Sequence, residues 1–211
     1  ITIMKQTLTP LALFCGAALL SGCAATGNSS AALQTSTAQQ LAQQYIIIDT
    51  HIDVPYRLHK DWEDVTVATQ RGEFDYPRAK KGGLNAPFMS VYIPASYEKT
   101  GGGELLANQL IDSMEALVGR APDKFAMAYR SDDLAAQFKQ GKISLALGME
   151  NGTPINGKLE NLRHFYQRGI RYITLTHSES NHIADSSYDL RRPPRAVSVN
   201  EMCELVGAVV D

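Results

Sequence analysis

The sequence predicts an α/β fold built on a parallel β-sheet. Apolar runs of strand length alternate along the chain with segments of helical spacing, which is typical of repeated strand–helix units joined by right-handed crossovers. Three of the apolar runs end close to a polar residue, namely His51, Glu150 and His177. Parallel strands are covered on both faces, and their carboxyl ends open toward the loops that bind ligands. We therefore expect these three side chains at one mouth of the sheet.

Turn signals place the elements in the first half of the chain. The glycine run 101–103 marks a turn that opens a long helix, because glycine readily adopts the backbone conformations that turns need. The segment from Ala24 to about Ser36 is rich in small and polar residues and predicts no element. We expect a helix at 38–44, strands at 45–49 and 88–93, and a helix from the glycine turn to about residue 118.

Capping signals place the elements in the second half. Ser131 is a suitable N-cap, and the two aspartates that follow it are favourable in a first helical turn because they complement the helix dipole. Gly141 and Gly169 are expected to end the two helices of this region. We expect helices at 131–141, 158–168 and 199–205, strands at 143–148 and 170–176, and the start of a further strand at 208–211.

The first residues have the features of an export signal. Lys5 precedes an apolar stretch that is too short to span a membrane and ends in Leu20-Ser21-Gly22-Cys23. This ending resembles the cleavage box of bacterial lipoproteins, in which the cysteine is lipidated and becomes the first residue. The boundaries that follow are a signal peptide at 1–22, a lipidated N-terminus with a flexible tether at 23–37, and a folded part at 38–211.

Residues after the expected lipidation site indicate a location. Ala24 and Ala25 follow Cys23, a pattern that resembles lipoproteins sorted to the outer membrane of Gram-negative bacteria. We therefore expect an exported protein that is anchored by lipid to a bacterial membrane, with the outer membrane favoured and the fold facing the periplasm. Once Cys23 is blocked by lipid, Cys203 has no partner for an intrachain disulfide.

Composition excludes several classes of protein. The chain has 211 residues, a formal net charge of -2 and 44% hydrophobic residues. Neither nucleic-acid binding nor a coiled coil is expected from these values, since both need stronger charge or heptad patterns. An ordinary globular domain is expected.

His51 and Asp53 form a candidate metal site together with Glu150. The first two lie two positions apart on an extended segment, so their side chains point to the same side and offer one nitrogen and one oxygen ligand. Glu150 arrives from another strand and can reach a second ion. A lone His-x-Asp pair is a weak signal, and its position beside Glu150 and His177 at matched strand ends is what favours a metal site.

Four groups of segments together resemble the membrane dipeptidase (renal dipeptidase) family of zinc peptidases. They are Asp49–Pro55, Asp75–Arg78 with 82–83 and 88–90, Gly148–Gly152, and Gly169–Ser178 with 184–185. The resemblance implies a (β/α)8 TIM barrel with two zinc ions. It implies that His51 and Asp53 hold the first zinc and that Glu150 bridges both ions. It also implies that His177 binds the substrate and not the metal.

The implied reaction is hydrolysis of the peptide bond of a dipeptide. Paired zinc ions lower the pKa of a shared water molecule and present hydroxide to the carbonyl carbon. His177 would then stabilise the negative charge that develops on the carbonyl oxygen. Glu150 and His177 are accordingly the expected catalytic residues.

The resemblance covers only the N-terminal half of the family's barrel, or slightly more. Two later histidines that complete the second zinc site, and an arginine and an aspartate that complete substrate binding, have no counterpart before Asp211. The part after residue 22 is also shorter than the ~250 residues typical of such a barrel. We therefore expect an incomplete second site and an inactive chain as given. Exposed strand edges are expected as well, which favours aggregation, a homodimer or dependence on a second half.

Three interpretations of function remain open. The first is a lipid-anchored zinc dipeptidase. The second is another barrel hydrolase of the amidohydrolase kind, which is disfavoured because the usual first-strand pattern there is His-x-His, whereas Asp53 stands at the third position here. The third is a non-catalytic lipoprotein or pseudoenzyme.

Other polar residues have structural interpretations. His59 and His164 are expected in solvent, and a surface position is favoured for His182 over the edge of the pocket. Arg78 is expected to form a structural ion pair.

Overall fold

The computed structural model describes residues 37–189 of the chain. The expected signal peptide, Cys23, the tether up to residue 36 and the elements expected at 199–205 and 208–211 lie outside these residues. Within the described residues, those from 42 onward belong to one compact unit, which contains the whole sheet. Within 37–189, none of the helices has the length and apolar character needed to cross a membrane.

Strands and helices alternate through the described residues. The strands are β1 (Ile47–Ile52), β2 (Leu84–Tyr92), β3 (Phe125–Met127), β4 (Ile143–Glu150) and β5 (Ile170–Thr174). The helices are α1 (37–44), α2 (Val54–Lys60), α3 (Tyr76–Gly82), α4 (Tyr97–Thr100), α5 (Gly103–Arg120), α6 (Ser131–Lys139) and α7 (Leu159–Gln167), and a 3-10 turn lies at Thr153–Ile155.

The five strands form one sheet in which every pairing is parallel. The order is β1-β2-β4, and β3 and β5 also pair with β4. Strand β4 is buried from Ile143 to Met149, as expected for a central parallel strand that is covered on both faces. The predicted fold class, the N-terminal part of a (β/α)8 barrel, is confirmed.

Helix α5 supplies much of the core beneath the sheet. One face of the helix carries apolar residues at helical spacing that are at most 4% exposed: Leu106, Ala107, Leu110, Ile111, Met114 and Leu117. They pack in one cluster with β2 and β4 residues such as Met89, Val91 and Leu145. Burial of this apolar face holds the connection from β2 to β3 against the sheet.

Several short elements were not predicted from the sequence: strand β3, helices α2, α3 and α4, and the 3-10 turn. Strand β3 has three residues and, within the described part of the chain, pairs with Ile143–Leu145 of β4. Three residues are too few to show the alternating pattern of a strand. Helices α2 and α3 each begin close to a proline, and their seven residues span about two turns. The loop expected between β1 and β2 is therefore partly helical.

Several predicted boundaries were wrong near the polar strand ends. Strand β1 extends to Ile52 instead of ending at Asp49, so His51 lies inside the strand, and β5 ends at Thr174 instead of 176. Strand β1 is also half exposed instead of buried, since among the described strands it pairs only with β2. Helix α6 begins at Ser131 itself, and its first turn is capped by Asp133, which accepts the amide of Arg130 at 2.9 Å.

Candidate metal centre

His51, Asp53 and Glu150 bring their ligand atoms together at one end of the sheet. The Nε2 atom of His51 lies 3.3 Å from Asp53 Oδ1 and 3.2 Å from Glu150 Oε2. One ligand atom from each residue lies within 4.8 Å of the other two. An imidazole nitrogen and two carboxylate oxygens are a donor set that suits zinc. The three residues predicted from the sequence can therefore hold a metal ion together.

The topology of the sheet explains this meeting of distant residues. His51 lies near the carboxyl end of β1, Asp53 directly follows that strand, and Glu150 is the last residue of β4. Strand β2 lies between β1 and β4, and all three strands run in the same direction. Because parallel strands end at the same edge, residues 99 positions apart in the chain become neighbours.

The Glu150 carboxylate lies between two histidines. Its Oε2 atom faces His51, and its Oε1 atom lies 3.3 Å from His177 Nε2. Ser90, which is fully buried on β2, donates its hydroxyl to Glu150 Oε2 at 3.3 Å. His177 itself lies outside the three-residue cluster, and its side chain is 38% exposed. The histidine therefore contacts the cluster through Glu150 and remains accessible from solvent.

Tyr172 on β5 was not predicted as part of the site. Its hydroxyl oxygen lies 2.8 Å from His51 Nδ1. Burial, with added effects of the negative charges of Glu150 and Asp53, raises the pKa of Tyr172 to about 12, so the hydroxyl keeps its proton at neutral pH. The signal that could have found it is Gly148, a glycine inside an apolar strand, which marks a close approach by another group.

Tyr92 forms a second aromatic wall of the site. Its ring lies 5.1 Å from the imidazole of His177 in an edge-on arrangement, and 5.1 Å from the ring of Tyr56. Burial, together with the charge of Glu150, raises the pKa of Tyr92. Both tyrosines beside the cluster are therefore neutral at physiological pH.

A buried amide network supports the loop that carries His177. Asn151 has a left-handed backbone (φ 77°) and donates its side-chain amide to the carbonyl of Ile93 at 2.9 Å. Asn181 donates to Asn151 Oδ1 at 2.9 Å and to the carbonyl of Leu175 at 2.7 Å. These bonds join the ends of β2 and β4 to the loop after β5, and they hold the backbone next to His177.

The remaining histidines and Arg78 have structural partners or lie in solvent. His59 is exposed, as predicted. The prediction for His164 was wrong, since it is half buried and lies 2.9 Å from Asn108 Oδ1. His182 is also half buried, and its amide donates to Glu98 at 2.8 Å. Arg78 donates to the buried Asp75 at 2.8 Å, which confirms its structural role.

Comparison with known proteins gives the family. The sequence model of the membrane dipeptidases (peptidase family M19) matches residues 35–202. The chain belongs to the membrane dipeptidase family. An uncharacterized dipeptidase of Schizosaccharomyces pombe is 28% identical in an alignment of 186 residues that covers 78% of this chain and 45% of the relative. The resemblance seen in the sequence is thereby confirmed.

Solved structures of membrane dipeptidases share the fold. The probable dipeptidase PvdM from Pseudomonas aeruginosa aligns with a TM-score of 0.70 and 20% identity over 82% of this chain and 46% of its own. A metallopeptidase from Rhodobacter sphaeroides, solved with a phosphinate mimic of the dipeptide L-Ala-D-Ala, aligns with a TM-score of 0.57 and 20% identity over 64% of this chain and 46% of its own. The chain spans less than half of the length of the relatives it matches.

Proposed function

We propose that the protein is a zinc-dependent dipeptidase that hydrolyses the peptide bond of dipeptides. The observation that carries this proposal is the meeting of His51, Asp53 and Glu150 within 4.8 Å in a chain of the membrane dipeptidase family. A dipeptide mimic bound to the Rhodobacter relative supports the same class of substrate. The amidohydrolase and pseudoenzyme interpretations find no better support.

The described residues fit a bound zinc ion. His51 Nε2 already lies near two carboxylates, and its Nδ1 atom has its own partner in Tyr172, which leaves Nε2 available as a ligand. A zinc ion held there supplies Lewis acidity, which lowers the pKa of water and polarises a carbonyl group. Within residues 37–189 the cluster provides ligands for one ion, and Glu150 is the residue that can be shared with a second.

Side chains around the cluster provide the remaining chemistry. Ser90 holds one Glu150 oxygen in place, and the other oxygen faces His177. The accessible His177 imidazole can donate a hydrogen bond to the carbonyl oxygen of a substrate and stabilise the charge that develops on it. Glu150 and His177 are thus the proposed catalytic residues, with His177 also binding the substrate.

We further propose that the protein is exported and held on a membrane through lipid on Cys23. The resemblance of Leu20–Cys23 to a lipoprotein cleavage box supports this location, with the outer membrane favoured by Ala24 and Ala25.

Two measurements test the proposed activity. Zinc content after dialysis is expected to fall when Glu150→Gln replaces a ligand, whereas Glu160→Gln on helix α7, away from the cluster, should retain the zinc. Dipeptide hydrolysis is then measured with the protein expressed to the end of its reading frame. Chelation should abolish the hydrolysis and added zinc should restore it. A zinc-loaded protein that cleaves no member of a broad dipeptide panel would contradict the proposed reaction.

A further inference from the structure

We propose that Tyr172 is a positioning residue that occupies His51 Nδ1 in either tautomer, fixes the orientation of the ring and so makes His51 Nε2 the metal-binding atom. The inference rests on the proposed zinc site and adds to it a residue that lies outside the ligand cluster. Its basis is the contact between the Tyr172 hydroxyl and His51 Nδ1, at 2.8 Å.

This contact requires that the sheet is curved and that one residue beneath the tyrosine ring has no side chain. Strands β1 and β5 are separated by three strand spacings in the order β1-β2-β4-β5, which would place their side chains ~14 Å apart in a flat sheet. The observed distance shows that the sheet curves and that both side chains point into its hollow. The Tyr172 ring crosses β4 over Gly148, where a Cβ atom would lie 2.0 Å from the ring.

The ring is held on a second side by Phe88. The centres of the two rings lie 5.5 Å apart, with the ring planes inclined by 44°. Phe88 is on β2. The Tyr172 side chain, which starts on β5, therefore crosses β4 and contacts β2 before it reaches His51 on β1. Its hydroxyl therefore has little freedom to move away from His51.

A hydroxyl suits both states of His51. A neutral imidazole carries one proton, and a cation on Nε2 confines that proton to Nδ1, which then donates to the phenol oxygen. Without a cation, Nε2 can carry the proton and donate to Glu150, and the tyrosine hydroxyl then donates to Nδ1. The hydroxyl reverses its role by rotation alone, so the histidine loses no partner when the ion enters or leaves. A carboxylate or carbonyl at this place could serve only the first state.

The test compares Tyr172→Phe with Tyr76→Phe. Both changes remove one hydroxyl from a half-buried ring, and Tyr76 packs against Phe125 of β3 and is not part of the cluster. Zinc affinity is measured by competition with a chromophoric chelator. It is expected to fall about 10- to 100-fold in Tyr172→Phe, as for other residues that orient a metal-bound histidine. Tyr76→Phe should bind zinc as the wild type does.

Nitrogen NMR reports which nitrogen of His51 binds the metal, a property that a general loss of stability would not change. In the zinc-loaded wild type, one species is expected, with a metal-bound Nε2 and a protonated Nδ1. In Tyr172→Phe, His51 should show mixed coordination through both nitrogens. Unchanged zinc affinity together with an unchanged His51 spectrum in Tyr172→Phe would overturn the inference about Tyr172 but not the proposed function. A wild-type protein that binds no zinc would contradict both the inference and the proposed function.

Discussion

A single glycine makes room for the tyrosine that reaches His51. The backbone of Gly148 carries no side chain where the Tyr172 ring passes, and Gly148 needs no unusual backbone angle. Its role is therefore steric, and even the methyl group of alanine would clash with the tyrosine ring.

Gly148→Ala is expected to displace Tyr172 and to destabilise the fold. Overpacking of this kind costs about 1–3 kcal/mol, and zinc affinity should fall with the loss of the His51 contact. Urea unfolding and zinc competition measure the two effects. Gly119→Ala in α5 is the matched control, because nothing lies within 4 Å of its added Cβ. Helix propensity predicts that this control gains up to about 1 kcal/mol. Equal stability of the two variants would contradict the steric role.

His177→Ala separates substrate binding from metal binding. Since His177 lies outside the ligand cluster, zinc content is expected to stay at the wild-type level. Dipeptide turnover should fall about 100-fold or more, because a hydrogen-bond donor to the developing oxyanion is lost. Elemental analysis is carried out beside each rate measurement. Loss of zinc in His177→Ala would instead make His177 a ligand.

At the scale of secondary structure, buried carboxylates and apolar faces fix where elements begin and how they pack. Asp75 precedes α3 and is 1% exposed. Burial alone would raise its pKa, but hydrogen bonds from the amides of Thr69 and Arg78 and from the Arg78 side chain outweigh it and lower the pKa of Asp75. The ionised carboxylate therefore caps the helix and closes the preceding loop.

Asp75→Asn is expected to cost about 1–3 kcal/mol of stability at pH 7, because the amide keeps one capping oxygen but puts an NH2 donor where the second oxygen accepts from Thr69 and Arg78. The pKa of Asp75 is lowered from 3.8 on folding, so its contribution is complete above that value and is lost as the pH falls through the folded pKa. The difference between wild type and variant should thus shrink below about pH 4. Unfolding by urea at several pH values measures it, with the exposed Asp123→Asn as control. A difference that persists unchanged at pH 3 would exclude the ionised cap.

Two adjacent leucines in α5 allow the effect of burial on stability to be measured with the same residue type. Leu106 is 3% exposed and Leu105 is 64% exposed. Leu106→Ala is expected to destabilise the fold by about 2–5 kcal/mol, because it removes apolar contacts and leaves a cavity. Leu105→Ala should change stability by less than about 0.5 kcal/mol. Chemical denaturation followed by circular dichroism measures both, and similar losses would show that α5 packs through another face.

At the scale of the whole molecule, the sheet has a buried centre and an exposed flank. Strand β4 pairs with three other strands, whereas β1 pairs only with β2 among the strands of 37–189. Ile48 on β1 is 48% exposed. An apolar strand edge of this kind can pair with another chain. Association into a homodimer therefore stays a prediction.

Membrane attachment is predicted to depend on Cys23 alone. Expression in a Gram-negative host should give a membrane-associated protein that is labelled by radioactive palmitate, because the proposed lipoprotein signal would direct lipid to this cysteine. Cys23→Ser should abolish the label, and Cys203→Ser should leave it intact. Equal labelling of the Cys23 variant and the wild type would refute the lipoprotein prediction.

The sequence predicted the fold class and the residues of the metal cluster better than it predicted the residues that surround the cluster. Apolar runs ending in His51 and Glu150 indicated parallel strands with a shared mouth, and the structure brings both residues together. Ser90 and Tyr172 were missed because each lies within a strand, where a polar or aromatic residue gives no local sign of a partner on another strand. The extent of β1 was misjudged because its second half, Asp49-Thr50-His51, is polar and contradicts the apolar pattern of a buried strand.

The cluster joins an edge strand to the central one. His51 belongs to β1 and Glu150 to β4, two strands that do not pair with each other. An ion held by both can remain bound only while β1 stays docked, so the local opening of this strand becomes linked to metal concentration. At 100 times its dissociation constant, the ion would oppose that opening by about 2.7 kcal/mol. The amides of β1 would then be protected from hydrogen exchange in proportion to the metal available, even though the strand keeps a half-exposed flank.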